Sequence, residues 1–306
     1  MSMWKANTVV LIFLILLGSS EGKIIVSIPD LKNIAEKISG EEVESILPSA
    51  VDPHFFSFSY QDLKKLENAE VILLANSNLI GFETEIKRIC GKKCLDFEDY
   101  NATILEFTGI GYNPHAYWLM PENALKIAFA LKNKLVELHP DKLREYESNY
   151  LKFEDSLANA KRDAEKLTER MKDSNFIAID PHSAYVVSGL GLKVSLAFPE
   201  DVTLSASEIQ SLKRFEKCIL VIPDYQEDTK LGEISKQIAK EVGCGISKVK
   251  VVSDLSFESQ LVSNAFSISN PIYLDSGERI WFYLLSLVAV LEAVALAVLW
   301  QSKRKI

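Results

Sequence analysis

Residues 141–173, DKLREYESNYLKFEDSLANAKRDAEKLTERMKD, contain neither glycine nor proline and are crowded with charge. Those two residue types end helices most readily, so their absence predicts one helix about 45–50 Å long. The apolar positions are too irregular, over too few heptads, for a coiled coil. A lone helix of this length is best read as a connector, with a separate body on each side of it.

The flanking sequence supplies two such bodies. Before the connector, apolar runs at 23–28, 43–47, 71–75 and 104–107 read as strands. Stretches with helical spacing at 31–38, 60–68, 82–89 and 121–137 separate or follow them, and Gly40 is placed to cap the first helix. After it, strands are expected at 176–179, 193–197, 218–222 and 249–252, and helices at 183–190, 206–215, 231–242 and 256–266. Alternation of this kind means a parallel sheet with helices outside. The fold expected is α/β, with two lobes, each a parallel sheet flanked by helices, joined by one long helix, plus a C-terminal transmembrane helix. The lobes are set at 23–138 and 175–268 and the connector at 139–174.

The two ends suggest an exported protein. Lys5, the apolar run Val9–Leu17 and the small residues Gly18-Ser19-Ser20 read as a signal peptide over residues 1–22, with an uncleaved anchor as the competing reading. After a linker at 269–279, residues 280–300 form an apolar run of the length a membrane span needs, and the basic stub 301–306 marks the cytoplasmic side. Glu292 lies inside that run, where an acid costs about 2.5–3.5 kcal/mol; its aliphatic neighbours outweigh that cost. A partner helix could also face it. The first cysteine is Cys90, so a bacterial-type lipoprotein N-terminus is not expected. The expected location is the cell membrane, single-pass, with the body outside the cytoplasm.

Four cysteines in an exported chain point to disulfides, and of three possible pairings Cys90–Cys94 and Cys218–Cys244 are favoured. Their spacings are not those of a zinc ribbon. Asn101-Ala102-Thr103 is a glycosylation sequon. A net charge of −8 argues against nucleic acid as a partner.

The chemistry concentrates in the histidines. Of the four in the chain, three follow proline, in Asp52-Pro53-His54, Asn113-Pro114-His115 and Asp180-Pro181-His182. With ten prolines in 306 residues, chance gives this on the order of once in ten thousand. Proline stiffens the backbone beside each imidazole, and imidazole suits zinc and other first-row divalent ions. Each step lies near a strand end or helix start, where open α/β sheets gather ligands. Asp254, beyond the strand KVKVV, is the carboxylate best placed to join them. Two ligands would then come from each lobe, with the ion in the cleft. The bland reading is a helix-start turn in which the acid is only a cap. His139 is assigned to that structural class, at a helix end where its partial charge suits the dipole.

Three stretches together resemble the zinc- and manganese-binding substrate-binding proteins of ABC transporters, whose lobes are joined by one long helix. They are DPHFF followed by DLKKLENAEVILL, then NPHAYWLMPENA, then HPDKLREYESN, and the resemblance covers roughly residues 23–265. It implies a receptor, not an enzyme, that hands a divalent ion to a permease. It maps the first two metal ligands onto His54 and His115 and a carboxylate onto Asp254. The family places its third ligand eleven residues before the glycine of a Tyr-Gly-Leu-like step. Here that step is Leu190-Gly191-Leu192, which puts Asp180 in register and His182 two residues on. Both stand as candidates. His182 in the set favours zinc, and Asp180 makes the set harder and closer to manganese. The His-rich acidic loop of many zinc importers is absent. Rival readings are a binding module for a larger chelate, such as a siderophore or corrinoid, and a metal-dependent hydrolase. No H-E-x-x-H motif supports the hydrolase.

Overall fold

The computed structural model describes residues 23–48, 56–200, 205–253 and 255–274. His54, Asp254, the 1–22 segment and the apolar run 280–300 lie outside the described residues. Among the described residues no helix is long and apolar enough to cross a membrane. The described residues form two compact units, one from the spans 1–102 and 125–153, the other from 103–124 and 154–306.

The first unit is built on a four-stranded parallel sheet, ordered β2-β1-β3-β4, from β1 (Lys23–Val26), β2 (Glu44–Ser45), β3 (Ala69–Leu73) and β4 (Cys94–Leu95). Around it lie α1 (Lys32–Ser39), α2 (Tyr60–Asn68) and α3 (Gly81–Cys90). Helix α1 buries Ile34, Ala35 and Ile38, one helical stripe, and ends at Gly40 with φ 77°, a backbone that glycine adopts without strain. Helix α2 starts at a capping box, where Ser59 and Asp62 each accept the other's backbone N–H.

The carboxyl edge of this sheet holds a buried acidic seam. The Glu83 carboxylate accepts the Ala75 N–H at 3.0 Å and the Asn76 N–H at 2.7 Å. Asp96 accepts the Ser77 N–H at 3.1 Å and its hydroxyl, and Lys87 lies 3.3 Å away. Burial pushes the Glu83 carboxyl up to about 7, although Ser27 and the two N–H donors favour its ionised form. Burial would also raise Asp96, but the Ser77 hydroxyl, the Phe97 and Ser77 N–H groups and Lys87 together hold it below the usual carboxylate range.

In the second unit a five-stranded sheet runs β11-β10-β9-β7-β8. Its parallel members are β7 (Asn175–Ala178), β8 (Val194–Ala197), β9 (Cys218–Pro223) and β10 (Gly245–Val249). The edge strand β11 (Ile272–Tyr273) is antiparallel. All six residues of β9 are buried, as its unbroken apolar run requires of a strand covered on both faces. Its even-numbered members Cys218, Leu220 and Ile222 join Ile177, Ile238 and Ile246 in one core. The helices are α6 (Pro181–Gly189), α7 (Ala206–Ser211), α8 (Lys230–Val242) and α9 (Phe257–Ser269). Helices α4 (Pro121–Leu138) and α5 (Leu143–Thr168) each contribute residues to both units.

The connector is shorter than the run without glycine or proline. Helix α5 spans Leu143–Thr168 and is flanked by single 3-10 turns at Pro140–Lys142 and Glu169–Met171. The Thr168 hydroxyl donates to the Ala164 carbonyl, a bond that competes with the helix ladder at that end. Its buried residues Tyr146, Phe153, Leu157, Ala160 and Ala164 lie three, four or seven apart and so form one stripe along the helix.

Three further expectations are corrected. The first lobe is not continuous over 23–138: residues 103–124 pack with the second unit. They carry the antiparallel hairpin β5 (Leu105–Phe107) and β6 (Gly111–Asn113), not a strand of the parallel sheet. Their turn docks on β8, where the Ala197 N–H donates to the Thr108 carbonyl at 2.8 Å. Gly109, at φ 105°, comes so close that a Cβ there would meet the Ala197 oxygen at 2.2 Å. Second, the strand expected at 249–252 lies at Gly245–Val249. The Cys218–Cys244 disulfide places the start of β10 beside the start of β9, in the register Gly245↔Ile219. Third, the helix expected at 183–190 begins earlier, at Pro181.

Both favoured disulfides are present, Cys90–Cys94 and Cys218–Cys244, with Cα separations of 5.7 and 4.8 Å. Replacing the Cys218–Cys244 pair by serine is expected to lower stability by about 3.5 kcal/mol, and the Cys90–Cys94 pair by about 2, because the longer loop restrains the unfolded chain more. Guanidinium unfolding of the two double variants checks the order. A second expectation concerns Glu83. Its carboxyl sits higher folded than unfolded, so its contribution is full below about pH 4.5 and lost as pH rises through about 7. Relative to Glu83→Gln, the parent should lose thermal stability across that window; parallel curves would overturn this.

Candidate metal centre

In the second unit the chain leaves β7, builds β8 on one side, then returns to build β9 on the other. Such a reversal opens a crevice at the carboxyl ends of the strands. Asp180-Pro181-His182 is the sequence that enters it, directly after β7. Asp180 is the N-cap of α6: its Oδ1 accepts the Ser183 N–H at 2.8 Å and the Ser183 hydroxyl at 2.6 Å. Pro181 takes the first helical position, where no N–H is needed. His182 therefore lies in the first turn of a helix and not in a loop. The cap role considered for the acid is real, and it engages one oxygen only. Among the described residues Asp180 Oδ2 accepts no hydrogen bond, and it lies 3.5 Å from His182 Nδ1.

His115 reaches the same place from the hairpin. Asn113, buried, accepts the His115 N–H on its Oδ1 at 3.0 Å and donates from Nδ2 to the Pro181 carbonyl at 3.2 Å. The Tyr185 hydroxyl completes the tie, accepting the Leu105 N–H at 3.0 Å and donating to the Asn113 carbonyl at 2.6 Å. Phe107 packs edge-on against the Tyr185 ring, with centroids 5.3 Å apart. Burial pushes the Tyr185 hydroxyl up to about 12, so it stays a donor throughout the physiological range. Beyond His115 the chain turns through Ala116 at φ 58°. Asn123 then holds the turn, donating to the Tyr117 and Thr103 carbonyls at 2.9 and 2.8 Å.

The result is a pair of imidazoles, His115 and His182, with ring centroids 6.3 Å apart, both in the second unit. This corrects the expectation that His115 belongs to the first lobe. Glu200, just past β8, brings Oε1 to 3.6 Å from His182 Nδ1. The His182 side chain is 19% exposed, that of Asp180 1% and that of Glu200 38%. Among the described residues no three His, Cys, Asp or Glu side chains form a complete metal cage. His54 and Asp254 are outside the described residues. His139, expected at a helix end, brings its Nε2 to 3.0 Å from Glu70 in the first unit. Sequence reasoning missed Asn113, Asn123, Tyr185 and Glu200. Of these only Asn113 carried a signal, as the first residue of a Pro-His step.

A family model described as ZnuA, zinc-uptake complex component A periplasmic, matches residues 24–264. The chain is 20% identical over 242 residues to the zinc-binding protein AdcA of Streptococcus pyogenes serotype M3, covering 70% of this chain and 46% of that protein. It is 21% identical over 241 residues to the metal ABC transporter substrate-binding lipoprotein SsaB of Streptococcus sanguinis, covering 71% and 77%. The chain thus spans about half the length of the AdcA relatives it matches. Among solved structures, a crystal structure of ZnuA superposes with a TM-score of 0.65 at 26% identity, over 81% of this chain and 98% of that one.

Asn113→Ala removes an acceptor and a donor from buried partners, which costs about 1–3 kcal/mol for each group left unsatisfied. The expected outcome is a lower melting temperature together with loss of the His115–His182 proximity. The melt checks the first; cross-relaxation between the two imidazoles by NMR checks the second. An Asn113→Ala protein with parent stability and intact proximity would refute the tie.

Proposed function

Since the chain belongs to the ZnuA family of periplasmic zinc-uptake components, we propose that it is an extracytoplasmic receptor that binds a divalent ion, zinc or alternatively manganese, and delivers it to an ABC import permease. The observation that carries this reading is the His115–His182 pair at the switch point of the second sheet, backed by a buried carboxylate. His54, His115 and Asp254 hold the ion together with one further ligand, for which His182 and Asp180 are the alternatives. His182 is favoured on two grounds. The imidazole is the more exposed of the two side chains, and Asp180 is buried with one oxygen, Oδ1, already capping α6. A set of three imidazoles and one carboxylate suits zinc; Asp180 in place of His182 would harden the set toward manganese. The protein acts as a receptor and not as an enzyme: the ion is cargo.

The run 280–300 is read as the membrane span that holds the body outside the cytoplasm, and 1–22 as the signal segment. Imidazoles must be deprotonated to bind metal, so acidification favours release.

The test is calorimetric titration of chelator-stripped protein with zinc and with manganese. One ion per chain is expected, with affinity weakened by more than about a hundredfold in His54→Ala and His115→Ala. His182→Ala should match them if His182 is a direct ligand, while Asp180→Asn should chiefly lower stability. The reverse pattern would assign the third position to Asp180. Binding no tighter in the parent than in the variants would refute the receptor reading.

A further inference from the structure

At one corner of the second unit three large apolar side chains face solvent: Phe266 on the last turn of α9, and Ile272 and Tyr273 on β11, exposed by 61, 51 and 63%. Ile272 and Tyr273 make up the edge strand of the sheet, and Phe266 precedes them by one turn and a short connection. Strand β11 pairs antiparallel to β10, Ile272 opposite Ile246 and Tyr273 opposite Gly245. The end of α9 is fastened to β10 through Ser247, whose hydroxyl donates to the Ser267 carbonyl at 3.1 Å. Gly245 is what lets β11 close in, since a Cβ there would meet the Pro271 and Tyr273 side chains at 2.9 and 3.1 Å. Beside the corner Arg170 donates from Nη2 to the Ser269 carbonyl at 2.7 Å, which fixes a cation at its rim.

We propose that this corner, Phe266, Ile272 and Tyr273 with Arg170 at its rim, lies on the anionic lipid surface of the membrane. The proposal rests on reading 280–300 as a span. Five residues, 275–279, separate Leu274 from that run. A chain extends at most about 3.3–3.6 Å per residue, so the run begins no farther than about 20 Å from Leu274. That lead keeps the corner within reach of the headgroups of the bilayer that holds the span. Aromatic rings with one polar end settle at headgroup level, and an arginine beside them suits lipid phosphate.

The direction of β11 adds a consequence. It runs toward the start of β10, so the chain leaves the sheet at the edge where the parallel strands begin. Asp180 and His182 follow the end of β7, at the opposite edge of the same sheet. With the corner on lipid, the His182 edge of this unit is turned to the outside medium, the posture in which an ion is loaded.

All four cysteines are in disulfides, so an introduced cysteine is the one thiol that takes a fluorescent label. Full-length Phe266→Cys, Tyr273→Cys and, as the control, Tyr225→Cys are labelled and reconstituted in phosphatidylcholine–phosphatidylglycerol vesicles. Tyr225 is 53% exposed and follows β9 at the far edge of the sheet. The vesicles are washed with alkaline carbonate, and quenching by headgroup-spin-labelled lipid is then measured. Labels at 266 and 273 should be quenched about twofold more than the label at 225. Equal quenching at all three positions in a carbonate-resistant chain overturns the proposal and leaves the span intact. Disulfide cross-linking of unlabelled Tyr273→Cys between chains, without quenching, gives the corner to a second copy and likewise overturns it. Release of the chain by carbonate removes the span itself, and the proposal with it.

Discussion

The hydroxyl of Tyr185 holds together what the sequence keeps apart. It receives a hydrogen bond from the hairpin at Leu105 and gives one back at Asn113, 72 positions away. Asn113 passes the connection on, to the His115 N–H on one side and the Pro181 carbonyl on the other. Every link is buried or half-buried, so a broken link leaves an unpaired polar group rather than one that water can serve. The segments that carry the two imidazoles are therefore tied together by side-chain hydrogen bonds to the backbone, from one tyrosine and one asparagine. A pocket held this way is in place before any ligand arrives, which reduces what binding must spend on ordering.

Both units solve the same problem at the same place. Parallel strands covered on both faces are apolar along their length, so their polar groups collect where the strands end. In the first unit the carboxyl edge gathers Ser27, Glu83 and Asp96, and the N–H groups of Ala75, Asn76 and Ser77 turn inward on the two buried acids. In the second it gathers Asp180, whose second oxygen is left for His182. The same order of four parallel strands thus carries a sealed polar seam in one unit and, in the other, a buried acid with a partly exposed histidine beside it. The difference lies in what meets the acid: strand-end amides in the first unit, a helix start carrying histidine in the second.

Much of this was legible. The helix at Tyr60–Asn68, the capping glycine at 40 and both disulfides follow from local pattern, and local pattern is what decided them. The errors arose where tertiary pairing overrode adjacency. Residues 105–107 read as another strand of the first sheet because they follow three of them; the hairpin turn at Gly109 instead fits against β8, a partner some ninety residues on. The misplacement of β10 was avoidable. A bridge from Cys218, the first residue of β9, to Cys244 sets the parallel neighbour beginning at once, at Gly245, where the missing side chain makes room for β11. Glu200 was invisible because nothing in its local sequence distinguishes it from a surface acid.

The recurrence of the Pro-His step now has a physical account in the two instances described. In each, an Asn or Asp oxygen is taken up by a backbone N–H a few residues on: His115 for Asn113, Ser183 for Asp180. That is the local bond through which such residues initiate turns and helices. The proline next to it needs no N–H partner and fixes φ. The first residue is thus occupied with the backbone and the second has no functional group, so the third is the one the turn presents. The step therefore serves to fix an imidazole in space at the mouth of a sheet, with the acid or amide acting as the fastening. Asp180 divides its work, with Oδ1 capping the helix and Oδ2 lying beside His182 Nδ1. His182 ranks above it on reach: its side chain is 19% exposed against 1% for Asp180, so the imidazole is what the turn offers to an incoming ion.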